Sequence, residues 1–264
     1  MAVTRRGFLG MSAGLGATAI GIRARGSQPD EPSPEATPWS PYTADAVARE
    51  VVGASHANLD RVKELVTQRP ELANSVVDWG MGDFETAIGA ASHVGRRDIA
   101  ELLMSFGARP DLFTFAMLGN VAAVRAIVEA MPGIQRLTGP HSLTLMSHAR
   151  AGGEEAAAVV EYLSTLEGAD DAAITQAVDE PGRITGTYTI TRGAMGSFTI
   201  AEGRRGLEFR LEGYSNRNLV HVGGLEFFPV GAKSVRFRFV AAASGGDAAV
   251  AVFLGDRTLQ ARRG

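Results

Sequence analysis

Apolar positions along this chain follow two different periods. In residues 82–111 (GDFETAIGAASHVGRRDIAELLMSFGARPD), Ile88, Ala91 and Ser92 fall at i, i+3 and i+4, one face of a short helix. Gly95 then stands where a helix C-terminus needs a left-handed residue. Ile99, Leu102 and Leu103 repeat the same face on a second helix, ended by Gly107 and Pro110. Similar units flank this one. Ala54-Ser55-His56 with Val62, Leu65 and Val66 marks one in 44–77, and Ala116, Gly119-Asn120, Val124, Ile127 and Val128 mark another in 112–138. A fourth opens at Thr144 and runs to residue 166. Helices this short cannot bury an apolar face alone, so stacked neighbours are expected.

After Pro181 the period falls to two. Segments 184–191, 197–201, 207–211, 219–222, 225–229, 235–240, 249–254 and 258–261 read as strands between Gly-rich turns. Val235, Phe237 and Phe239 alternate with Arg236 and Arg238, which gives a sheet with one buried and one wet face. The expected product is a small antiparallel barrel or sandwich over 181–264.

The helical units resemble the ankyrin repeat. Thr86-Ala87-Ile88-Gly89 stands at its T-P-L-H, Ala91-Ser92 at its A-A, Gly95-Arg96 at its G-H, residues 99–103 at V-V-x-L-L and Gly107-Ala108 at G-A. Ala87 and Gly89 depart from that pattern. The resemblance implies an α + β multidomain fold: an ankyrin-type helical repeat solenoid of about four units over 44–180, then the β-domain. It also implies a protein partner bound through loop tips. The β-segment resembles a small domain appended to secreted bacterial enzymes, including those of the serine β-lactamase-like class. Gly186-Thr187-Tyr188, Phe228-Pro229-Val230-Gly231, residues 235–239 and Ala261-Arg262 carry that likeness. It implies an accessory domain with no chemistry of its own.

Thr4-Arg5-Arg6-Gly7-Phe8-Leu9 resembles the twin-arginine export motif, followed by a weakly apolar run over 7–22 and a small-x-small site at Ala24-Arg25-Gly26. This implies a signal peptide at 1–26, a periplasmic or secreted protein that folds before export, and no stable membrane span after cleavage. Residues 27–43 hold five of the eleven prolines and form a linker.

Composition narrows the chemistry. The 264 residues include no cysteine, which excludes disulfides, thiolate catalysis and Cys-ligated metal. Without the leader, 22 basic residues face 29 acidic ones, a balance that argues against nucleic-acid binding. The charge is uneven: residues 27–180 carry 10 basic and 23 acidic side chains, and residues 181–264 carry 12 and 6.

The five histidines are the main acid–base or metal suspects. His56 and His93 occupy equivalent positions in two units, which favours a structural contact at a helix end. His141 precedes His148 by seven residues and adjoins Ser142, so these three form the possible site if the chain is an enzyme, a hydrolase at the helix–sheet junction. There is no G-x-S-x-G, S-x-x-K, H-E-x-x-H or phosphate loop. No catalytic set, metal or cofactor is therefore expected. Asp78, Trp79, Met81, Asp83 and Phe84, on the Gly-rich loop before the second unit, have the composition of a recognition surface. The leading expectation is an exported binding or scaffold protein. A periplasmic hydrolase, or a small-ligand carrier using the β-domain, are the alternatives.

Overall fold

The computed structural model describes residues 43–170, 181–190, 196–204, 206–214, 216–240 and 249–264. The expected signal peptide, nearly all of the proline-rich linker, and residues 171–180 of the loop closing the helical half lie outside the described residues.

The described helices and strands fall in one compact unit. Eight helices are described: α1 (Asp45–Ala54), α2 (Leu59–Gln68), α3 (Ala87–His93), α4 (Arg97–Ser105), α5 (Leu112–Met117), α6 (Val121–Ala130), α7 (Leu145–Ala151) and α8 (Ala157–Ser164). A hairpin of β1 (Val76–Asp78) and β2 (Phe84–Thr86) comes between α2 and α3. Helices of six to ten residues are marginal alone, and five of these are started by a side-chain cap. Asn58, Thr86, Asp111, Asn120 and Thr144 each accept a hydrogen bond from the backbone N–H three residues on.

The expected repeat solenoid is corrected by this arrangement. A solenoid is nearly one-dimensional, each unit touching only its neighbours. Here α3 packs directly against α7, two units away. Gly95, in the turn after α3, lies so close to the Ala151 carbonyl at the end of α7 that a Cβ would overlap it. Arg97 also forms an ion pair with Glu155, next to α8. The apolar core is broken in two: one cluster joins α1–α4 and Met117, the other joins α5–α8. The periodicity located the helices, but local periodicity carries no information on which helix pairs touch at long range.

The described residues of 181–264 form a closed antiparallel barrel of eight strands: β3 (Gly186–Ile190), β4 (Ser197–Gly203), β5 (Gly206–Leu211), β6 (Arg217–Gly223), β7 (Glu226–Pro229), β8 (Val235–Val240), β9 (Ala249–Leu254) and β10 (Arg257–Arg263). Consecutive strands pair, and β10 closes on β3 through Ala261↔Ile190 and Arg263↔Tyr188. Every segment read as a strand from alternation is one. Eight strands enclose just enough space for side chains to fill. Tyr188, Phe198, Phe209, Phe227 and Phe237 fill it, all with under 2% exposure, and ring centroids of Phe209 and Phe237 lie 5.1 Å apart. Tyr188 Oη donates to the Ile184 carbonyl at 2.8 Å, so the one polar atom of this ring set is satisfied. Among the described residues no helix is long and apolar enough to cross a membrane.

Candidate metal centre

Three histidines and a glutamate from separate segments converge where the helices meet the barrel. His56 follows the last turn of α1. Its Nδ1 lies 3.1 Å from the Val52 carbonyl and 3.2 Å from that of Gly53, groups that a helix end leaves without an intrahelical donor. Glu85 is the middle residue of β2. The alternation of a strand turns Phe84 outward, at 60% exposure, and Glu85 fully inward. His93 is the last residue of α3, which Thr86 starts immediately after the hairpin.

His141 comes from a tight loop closed by the bridge Thr138↔Thr144. His141 and Ser142 both have left-handed φ, 58° and 60°, although neither is glycine. Such residues cost about 1–3 kcal/mol each and persist where the surroundings hold them. The clamp is Asp83. Its Oδ1 accepts from the His141 backbone N–H at 2.8 Å, and its Oδ2 from His141 Nδ1 at 2.9 Å.

The four inward atoms are His56 Nε2, His93 Nε2, His141 Nε2 and Glu85 Oε1, all within 4.8 Å of one another. Glu85 Oε1 lies 3.5, 2.9 and 3.2 Å from the three nitrogens in that order, and His56 Nε2 lies 3.1 Å from His93 Nε2. A tetrahedral zinc ion with bonds of about 2.0–2.1 Å has ligand–ligand edges of about 3.3–3.4 Å. These four separations bracket that value, and the remaining two pairs lie within 4.8 Å.

Three of these ligands have their far side fixed by another group, the usual support of a metal ligand. His141 Nδ1 donates to Asp83, and His56 Nδ1 donates to backbone carbonyls. Both imidazoles are thereby set with Nε2 as the inward lone pair. Glu85 Oε2 accepts from Trp79 Nε1 at 2.8 Å. Lone pairs and a carboxylate facing one another need positive charge between them, either protons or a metal ion. The titration shifts express that need. The His141 imidazole is pushed up to about 9 by its hydrogen bonds to Asp83 and Glu85. His56 is raised mainly by its hydrogen bond to Glu85. Burial alone would raise the Glu85 carboxyl, but hydrogen bonds from His141, His56 and His93 outweigh it and hold the group far below the usual carboxylate range.

The barrel braces this centre through Arg217, at the start of β6. Its Nη1 donates to Asp83 Oδ2 at 2.9 Å and to the Val230 carbonyl at 2.5 Å; its Nη2 donates to the carbonyls of Trp79 and Gly80 at 2.7 and 3.1 Å. Asp83 and Arg217 are 2% and 8% exposed, a buried pair whose charges cancel. Gly231 (φ 82°) packs against both, and a Cβ there would overlap Asp83 Oδ2 and Arg217 Nη1.

The chain matches no family model, no curated protein and no solved structure. The reading of this centre therefore rests on its own geometry.

The recognition loop proposed from composition is partly internal. Asp83 clamps His141, Trp79 orients Glu85, and Met81 packs against the barrel core. Asp78 is exposed and accepts from the Gly80 N–H, and Phe84 is exposed. Of the possible hydrolase residues, His141 enters the cluster. Ser142 Oγ instead accepts from the Gly231 N–H at 3.1 Å, 89 residues away in the barrel. His148 is fully buried, with Nδ1 on the Thr144 carbonyl at 3.0 Å and no partner for Nε2 among the described residues. Burial pushes its imidazole toward the neutral form.

From the sequence, His56 and His93 read as structural contacts, and Glu85 is not singled out. The signal was present in the histidine pair: equivalent positions in adjacent stacked units lie side by side. His56 and His93 are 37 residues apart in sequence and their ring centroids 4.9 Å apart in space.

Proposed function

We propose that this protein binds one divalent transition-metal ion of the zinc class through His56, Glu85, His93 and His141. What carries the reading is the convergence of three imidazole nitrogens and a carboxylate oxygen at near-tetrahedral separations, with the far sides of His56, Glu85 and His141 held by other groups. Imidazole with one carboxylate suits Zn²⁺ better than the all-oxygen shells of Ca²⁺ or Mg²⁺.

The resemblance of residues 4–9 to a twin-arginine motif extends the proposal to the cell envelope. Ligands scattered from 56 to 141 meet only in the folded chain, so export of a folded protein allows the ion to be loaded before transport. Isothermal titration with Zn²⁺ on chelator-stripped protein tests the central claim. One site per chain is expected, abolished in Glu85→Gln combined with His93→Ala. Equal binding by that double variant would sink the assignment.

A further inference from the structure

The metal centre is more open at His56 and His141 than at Glu85 and His93. Glu85 and His93 close its floor, at 0% and 10% side-chain exposure, while His56 and His141 stand at 30% and 27%. Those two imidazoles form part of the wall of a cleft of about 350 Å³, with Trp79, Asp83, Asn216, Arg217, Asn218 and Val230 as the rest. A cleft of that size fits a small molecule.

Its electrostatics select the sign of that molecule. Asp83 and Arg217 neutralise each other, so the charge facing the cleft is that of a divalent ion less one carboxylate, a residual single positive charge. Among the described residues the only carboxylate lining the cleft is Asp83, already tied to His141 and Arg217. Asn216 and Asn218 bring amide groups, and Trp79 and Val230 bring apolar surface. Four protein ligands close a tetrahedral zinc shell, so a further ligand has to expand it to five, as zinc-class ions sometimes do.

We propose that this cleft takes a small monocarboxylate, with one oxygen entering as fifth ligand on the metal, the amides of Asn216 and Asn218 about its carboxylate, and its apolar tail against Trp79 and Val230. The proposal rests on the metal reading above. Binding is coordination alone, with no bond broken in the ligand.

The test uses cobalt(II) as a visible probe of coordination in the full folded chain. Acetate, propionate or benzoate, added at constant ionic strength, is expected to change the cobalt absorption saturably, and acetamide is not. Asn216→Asp places a negative charge on an exposed rim residue outside the metal shell. It is expected to weaken carboxylate binding roughly three- to tenfold with cobalt loading unchanged. Cobalt that loads but ignores carboxylates overturns this inference and leaves the metal reading standing. Cobalt that does not load overturns both. An equal response to chloride or acetamide also overturns it, because the cleft would then lack selectivity for carboxylate.

Discussion

The barrel and the helical half bury different things. The barrel's interior is aromatic and aliphatic, and among its described residues only Arg217 and His221 are buried polar groups. The helical half buries Ser55, Arg69, Ser75, Asp83, Glu85, Ser92, Thr114 and His148. Buried polar groups are costly unless satisfied, and they concentrate where a fold holds a site. Ser55 and Thr114 explain themselves as bonds to the local turn of a helix. Asp83 and Glu85 do not: they sit two residues apart on one hairpin and anchor three histidines and an arginine from elsewhere. The barrel is stabilised by what it excludes, and the helical half is committed to what it holds.

Two substitutions of similar expected size separate these roles. Phe237→Ala removes a fully buried ring from the barrel and should destabilise by about 3–5 kcal/mol. Asp83→Ala leaves Arg217 without its buried partner, a loss of the same order, about 3–5 kcal/mol. Each should lower the melting temperature by roughly 10 °C. Metal affinity divides them. Phe237→Ala should keep it within about twofold, since distant sites act independently. Asp83→Ala should lower it as well, because His141 loses the group that orients it. Equal affinities in the two variants would break the comparison.

His93→Ala sharpens it. Structural zinc sites bind with about 10–16 kcal/mol, so one ligand of four carries roughly 3 kcal/mol, or over a hundredfold in affinity. Competition against a chelator of known strength would measure this, and a change below tenfold would remove His93 from the shell. Trp79→Phe is the milder case. It keeps the ring and deletes the N–H that holds Glu85 Oε2, and second-shell losses run about 10–100-fold.

The same cluster gives the metal-free protein a definite pH response. His141 rises from 6.5 to about 9 on folding, so its contribution is fully present below about pH 6.5 and is lost as the pH climbs through about 9. Asp83 and Glu85 are lowered on folding, so theirs is present above the ordinary carboxylate values of 3.8 and 4.5 and is lost on acidification. The contribution of these three groups to the stability of the metal-free chain should be largest between roughly pH 4.5 and 6.5, read as the difference between thermal melts of the parent and of His141→Ala taken after chelation. Metal loading should run the other way over that range. Protons and the ion compete for the same imidazoles, so affinity should rise with pH by about tenfold per unit for each proton displaced. A difference between parent and variant that is largest above about pH 9 would contradict the role given to His141.

How far the sequence could be read follows the same divide. Alternation such as Val235-Arg236-Phe237-Arg238-Phe239 is a local property, and it located all eight barrel strands. Helix spacing and caps such as Asn58 and Thr86 are local too. The centre is not: Asp83 meets His141 across 58 residues and Arg217 across 134. No local period encodes such contacts. What the chain did expose was an anomaly, a histidine recurring in the same turn of two units that ought to stack. Asp83 and Trp79 were singled out by composition alone, and the structure gives them inward roles that composition could not distinguish from outward ones.

Phe84 is the smallest and most particular case. It neighbours Glu85, yet the strand turns it to solvent at 60% exposure. Composition would rank Phe84 above Glu85 as a core residue, and the hairpin register Val77↔Glu85 and Asp78↔Phe84 reverses that order. Phe84→Ser should therefore change stability by no more than about 0.5 kcal/mol and leave metal affinity untouched. A loss of metal binding in Phe84→Ser would mean that the hairpin had slipped by one residue, which carries Glu85 out of the centre and Phe84 into it. Hydrogen exchange at the paired amides of β1 and β2, followed in the same variant, would tell that slip from simple unfolding.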